Sequence, residues 1–431
     1  MSDQGLPLEA PAKPQGGCPC PFPFSQLYMI PREYLHLSFC SYHPGVIVEN
    51  QADYYNDGNA ALQKFFSTNE ELARRRQKFL AGDHHGAGCS PDCYWLNQWK
   101  STGIGYDPAD YRDIVGEYKL SRAWLTVGPD CNITCRYCLE PKEFVIDYNT
   151  CDATAMNVAR DLVAQGGSVL LTGGEPFLPK FRLVPALEDL SRRENVTGWF
   201  EIHTNGMYLK PEVRDLVLRA PVKTVNVSMD TMRKELFEYL RRGGKFDLIW
   251  GNVRALREER DQRQLTRPSI VILCAVMKST ADHIIETAEI AVKEGLSISF
   301  NALFKGYFSP DFCREEGLHN LTLEQLEKLR DDILLLESRY GADGPIQAHA
   351  LKGQVANLLQ AKRTGARGAQ VALGSGGEAP RKPPLSVLLR QRRFRAASDK
   401  VAQTFGRFVL RFHRRLPFHR TLVRAYWYLR S

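Results

Sequence analysis

The sequence predicts an α/β fold: a partial (β/α)6 barrel of the TIM type, with a small cysteine-rich module before it and a basic helical tail after it. Three observations lead there. Between about residues 121 and 340, short apolar runs alternate six times with amphipathic stretches, the pattern of parallel strands with helices packed outside. Residues 1–26 are rich in Pro and Gly, and residues 364–384 lack a sustained apolar period, so both read as loop or linker bracketing a folded body. Charge is also segregated: of the net +8, residues 381–431 hold 14 Lys or Arg against Asp399 alone, which leaves the remainder acidic. The expected division is a flexible 1–17, a cysteine-rich 18–100, a barrel over 115–345, a linker over 364–384 and a basic tail over 385–431.

In the barrel, RAWLTV is the first strand and 152–165 its helix, followed by SVLLT with 181–194 and GWFEIHT with 211–219. VKTVNVSM then leads into a helical segment over 232–264. SIVILCAV with 281–294 and LSISFNALF with 323–340 complete six units. The active face of such a barrel is the C-terminal ends of its strands.

Composition excludes several classes. With 43% hydrophobic and 25% charged residues the chain is neither disordered nor fibrous. No apolar run approaches the roughly 18 residues of a membrane span. The first residues, MSDQGLPLEAPAKPQGG, show neither a basic start nor an apolar stretch, so a cytoplasmic location is expected. Eleven cysteines in a reducing compartment then call for metal or redox chemistry rather than disulfides.

The end of the first strand reads VGPDCNITCRYCLEP, with Cys131, Cys135 and Cys138 in C-x3-C-x2-C spacing on one short loop. Three thiolates on such a loop suit three irons of a [4Fe-4S] cluster and leave the fourth open. Zinc is the alternative, although a structural zinc site takes four ligands. The second strand ends in LLTGGEPFL. There Gly173 and Gly174 permit close backbone approach to a ligand, or simply a tight turn, and Glu175 offers a carboxylate to an amino group.

These residues resemble the radical S-adenosylmethionine (radical SAM) superfamily, whose hallmark is C-x3-C-x-aromatic-C with GGE after the second strand. The resemblance implies that Cys131, Cys135 and Cys138 bind the catalytic cluster, that its open iron takes the methionine end of S-adenosylmethionine, and that Tyr137 lies near adenine. Gly173, Gly174 and Glu175 look like the elements that receive the methionine amino group. Thr204 and Asn205 in IHTNG, and Ser228 and Asp230 in VNVSMD, resemble the family's polar ribose and carboxylate contacts, where ordinary turn chemistry is the alternative. The implied chemistry is reductive cleavage to a 5'-deoxyadenosyl radical, with flavodoxin or ferredoxin as electron donor, and hydrogen abstraction that oxidises or otherwise modifies a small sugar- or aminocyclitol-like molecule; the alternatives are a maturase of a ribosomally made peptide and a noncatalytic, metal-binding, membrane-associated adaptor.

Five further cysteines precede the barrel. Cys20, Cys40, Cys89 and Cys93 resemble the SPASM or Twitch auxiliary module, here N-terminal to the barrel, which implies a second [4Fe-4S] cluster able to accept an electron from the substrate radical. Zinc completed by His84 and His85 is the rival, and free thiols the third reading. Cys18 is spare. Cys151 and Cys274 read as bland, the latter as a small core hydrophobe. Cys313, Lys305 and Tyr307 follow the sixth strand at the active face, where a thiol can return a hydrogen atom to a radical. In the tail, Val401, Phe405, Phe408, Phe412 and Leu416 recur at helical spacing among arginines, which fits an anionic membrane surface or packing on protein. Without a base-reading motif, arginine gives only nonspecific nucleic-acid affinity, so no specific nucleic acid is expected.

Overall fold

A computed structural model describes residues 26–31, 35–38, 46–48, 58–89, 120–128, 130–138, 148–303, 309–341 and 344–364, all within one compact unit. The chain alternates strand and helix as expected. β4 (Arg122–Thr126), β6 (Ser168–Thr172), β7 (Trp199–Thr204), β8 (Val222–Ser228), β10 (Ser269–Val276) and β11 (Ser297–Ala302) lie side by side and parallel, an α/β sheet of the partial-barrel kind. The two-residue β12 (Ile346–Gln347) adds a short parallel edge beside β11.

The strands form where apolar β-branched and aliphatic residues alternate with residues of the opposite face. β6 buries Val169 and Leu171 and only half-buries the residues between them. Helix 148–164 covers the sheet with Ala155, Val158, Ala159, Leu162 and Val163, spaced as one helical face. Each such fully buried aliphatic side chain larger than alanine contributes about 1.5–3 kcal/mol, so the core is shared by many residues rather than resting on a few. Helix 323–340 starts at a capping box, in which Gln325 N–H donates to Thr322 Oγ1 at 3.1 Å and Thr322 N–H donates to Gln325 Oε1 at 2.9 Å.

Three departures from the sequence reading have physical causes. First, the N-terminal segment expected within a separate module continues the barrel's sheet. β1 (Gln26–Pro31) runs parallel to β4 with Gln26 opposite Arg122, while β2 (Leu35–Ser38) and β3 (Val46–Val48) follow antiparallel, giving ten strands in all. Second, the helical stretch 232–264 is interrupted. Helix 234–240 ends, β9 (Arg241–Arg242) pairs antiparallel with β5 (Thr134–Cys135), and helix 246–262 follows. Gly243 at φ +87° and Gly244 make the break, since a Cβ on Gly244 would lie 2.9 Å from Arg241 O. Third, helix 349–364 extends the body beyond residue 345 and buries Leu351, Val355, Leu358 and Leu359. The expected linker beyond 364 and the basic tail lie outside the described residues, and no described helix is long and apolar enough to cross a membrane.

Candidate active site

The loop after β4 carries the three cysteines and is braced from three directions. From the GGE turn, Gly174 N–H donates to Gly128 O at 2.6 Å and Glu175 N–H to Asp130 O at 2.9 Å, while Lys180 pairs with the Asp130 carboxylate. Gly173 sits at φ +133°, and a Cβ there would come within 2.6 Å of Gly128 O, so both backbone conformation and close approach require glycine.

From the end of β7, Asn205 ties the second and third motifs to the first. Its N–H donates to Glu175 Oε2 at 2.7 Å, and its side-chain amide reaches Asn132 Oδ1 at 2.8 Å and Cys131 Sγ at 3.5 Å. Thr204 Oγ1 donates to Glu175 Oε1 at 2.8 Å, and Phe177 N–H donates to the same oxygen at 3.1 Å. Glu175 is fully buried; burial pushes its carboxyl up to about 7, against these three donors, which favour the charged form.

From below, β9 clamps Cys135. The β5–β9 ladder sets Cys135 opposite Arg241, and Arg136 N–H donates to Leu240 O at 2.8 Å. Arg241 grips the buried Asp230 with two nitrogens, Nε to Oδ2 at 2.9 Å and Nη2 to Oδ1 at 3.0 Å, and its Nη1 lies 3.8 Å from Cys135 Sγ. Tyr137 Oη donates to Asp230 Oδ2 at 2.5 Å, and Ala275 N–H donates to Oδ1 at 3.2 Å. Burial would lower the Arg241 pKa, but the Asp230 charge overrides this and holds it well above its ordinary value.

The donor set fits a cluster. Burial raises the pKa of all three thiols, that of Cys135 to about 12; beside Cys135 the Arg241 cation opposes the shift more strongly than the Asp230 carboxylate adds to it. Cys131 and Cys138 also raise the Cys135 pKa, and Cys131 that of Cys138, by repulsion between charged forms, which a cationic iron core would relieve. Among the described residues no three His, Cys, Asp or Glu are grouped so as to hold a single metal ion. Cluster irons sit on separate corners, so their thiolates need not converge on one point.

The other expected residues fall in several places. Tyr137 and Asp230 are buried against each other, with the Asp230 oxygens engaged inside the protein, and Ser228 is half-buried at the end of β8. Cys274 lies in the core and its thiol donates to Met229 O at 2.8 Å, as expected of a small hydrophobe. Cys313 is fully buried on helix 310–316, in a small apolar cluster with Tyr137, Leu240, Met277 and Leu303. Cys89 is half-buried, the His84 ring packs on Phe79 at 5.1 Å, and His85 is exposed. Cys18, Cys20, Cys40, Cys93, Lys305 and Tyr307 lie outside the described residues, as does the Cys151 side chain. Sequence reasoning missed Arg241; the available signal was RRGG interrupting an amphipathic run.

Comparison with known proteins finds similarity to one superfamily. Residues 125–291 match the Radical SAM superfamily model. A GTP 3',8-cyclase of Peptoclostridium acidaminophilum is 34% identical over 130 residues, covering 29% of this chain and 39% of that protein. One from Heliobacterium modesticaldum is 26% identical over 245 residues, covering 54% and 70%. The chain thus spans about two fifths of the first of these relatives. Among solved structures, anSMEcpe with bound AdoMet and Cp18Cys peptide superposes at TM-score 0.38 with 20% identity, over 52% of this chain and 63% of that one. Streptococcus suis SuiB superposes at 0.39 with 15% identity, over 74% and 70%. The matched segment contains the cysteine loop, the GGE turn and the strand ends that brace them, so residues 125–291 are similar to the radical SAM superfamily, a family that uses a [4Fe-4S] cluster and S-adenosylmethionine.

Proposed function

We propose that this enzyme binds a catalytic [4Fe-4S] cluster on Cys131, Cys135 and Cys138 and uses S-adenosylmethionine to start a radical oxidation or related modification of a small organic molecule. When bound, the cluster and S-adenosylmethionine supply one-electron cleavage to a 5'-deoxyadenosyl radical that removes hydrogen from substrate. The observation that carries the reading is Asn205, whose backbone holds Glu175 and whose side chain holds the Cys131 loop, so that three motifs distant in sequence act as one unit.

The chain's own residues supply position. Gly173 and Gly174 give the close backbone approach by which the methionine amino group would be received, with Glu175 buried beneath as a fixed acceptor framework. Ser228, half-buried at its strand end, is the remaining polar contact proposed toward the cofactor. The relatives named GTP 3',8-cyclase act, by that name, on a nucleotide, which supports a small molecule over a peptide; the sugar or aminocyclitol class is the proposed one.

The test is spectroscopic. Anaerobically reconstituted protein should hold roughly four irons on the triplet, and S-adenosylmethionine should change the electron paramagnetic resonance spectrum of the reduced cluster. A cluster-loaded protein whose spectrum ignores S-adenosylmethionine would refute the reading.

A further inference from the structure

Arg241 has no counterpart in the expected motifs, yet it is a buried cation that reaches the cysteine loop. Its guanidinium turns one edge to Asp230 and its remaining nitrogen to Cys135 Sγ, 3.8 Å away. Its backbone is fixed by the ladder that sets it opposite Cys135, and its charge by a carboxylate with no solvent exposure. Tyr137, two residues beyond Cys135, completes the assembly by donating to Asp230, and the Arg241 guanidinium lies 5.4 Å from the Tyr137 ring centroid. The side chain therefore cannot swing to solvent without breaking a bidentate buried ion pair.

Reduction adds negative charge to a site already anionic from three thiolates. A fixed cation donating to one of the sulfurs stabilises the reduced form more than the oxidised, and in a buried setting this is weakly screened. Hydrogen bonds to ligand atoms tune a metal centre in the same sense.

We propose that Arg241 is a positioning residue that, clamped by Asp230, holds positive charge against Cys135 Sγ and so raises the reduction potential of the cluster carried by Cys131, Cys135 and Cys138. This rests on the cluster reading above and adds a determinant of how easily that cluster is reduced.

The experiment compares the reconstituted full chain with Arg241→Lys, Arg241→Gln and the double variant Arg241→Gln/Asp230→Asn, which removes the buried pair together. Iron content is measured first, then the fraction of reduced cluster by electron paramagnetic resonance at a series of fixed solution potentials. Arg241→Gln should show at least a severalfold smaller reduced fraction near the wild-type midpoint, with Arg241→Lys closer to wild type because the charge is kept. If the single Gln variant loses its iron, the double variant is read instead and should show a smaller fall in the same direction, because it also removes the Asp230 charge, which acts on Cys135 in the opposite sense but less strongly than Arg241. Gln or double variants that keep the wild-type iron content and titrate at the wild-type midpoint would overturn the inference while leaving the cluster reading intact. Wild-type protein that holds no cluster would overturn both.

Discussion

Replacing Glu175 with Gln should change how stability depends on pH. A carboxyl whose pKa is higher folded than unfolded keeps its proton longer in the native state, so stability falls as pH rises from the ordinary 4.5 through the folded value of about 7. Wild-type protein should therefore lose on the order of 2 kcal/mol between pH 5 and 8 relative to Glu175→Gln, read as the change in the difference between their urea midpoints. A difference that does not move with pH would show that Glu175 is ionised throughout. The substitution should also destabilise at every pH by about 1–3 kcal/mol, because the Gln amide sets a donor against Asn205 N–H or against the Thr204 hydroxyl and Phe177 N–H. At this scale the sequence singled out Glu175, Thr204 and Asn205 but not the bonds that join them, since a hydrogen bond between residues 29 or 30 apart is invisible to local pattern.

At the scale of elements, the GGE turn and helix 246–262 make opposite demands on glycine. Gly173→Ala should cost at least about 2 kcal/mol from positive φ and overpacking against Gly128 O. Gly251→Ala, on an exposed face of helix 246–262 with nothing within 4 Å, should stabilise by about 0.5–1 kcal/mol. Urea midpoints of the two variants check the contrast, and equal shifts of one sign would contradict it. SVLLT and SIVILCAV could be read to the residue because a barrel strand is short, apolar and bounded by polar or turn residues on both sides. The strand β9 could not, because two arginines become a strand only through pairing with Thr134 and Cys135, more than 100 residues earlier. Helix 349–364 escaped for a local reason: Gly353 weakens a pattern that Leu351, Val355, Leu358 and Leu359 nonetheless complete.

For the whole molecule, the N-terminal strands show why a strand can be legible while its neighbour is not: an aromatic apolar run announces itself, but its register beside β4 is set by sheet pairing. The auxiliary cluster proposed on Cys20, Cys40, Cys89 and Cys93 is separable from the catalytic one. A variant lacking Cys131, Cys135 and Cys138 should keep roughly four irons, whereas about one zinc and no iron would favour the zinc reading. The +13 tail is proposed to bind anionic membrane surface, so removing residues 381–431 should abolish sedimentation with anionic vesicles, and salt should weaken it in the full chain. Unchanged sedimentation after removal would end that proposal.

The most direct measurement gives the anaerobically reconstituted chain a strong reductant and S-adenosylmethionine and quantifies 5'-deoxyadenosine, with and without candidate sugars and aminocyclitols. The wild-type protein should form it, and Cys131→Ala, Cys135→Ala or Cys138→Ala should each abolish it. Formation that survives loss of any of these cysteines, or none from the cluster-loaded wild type with its true substrate, would contradict the account.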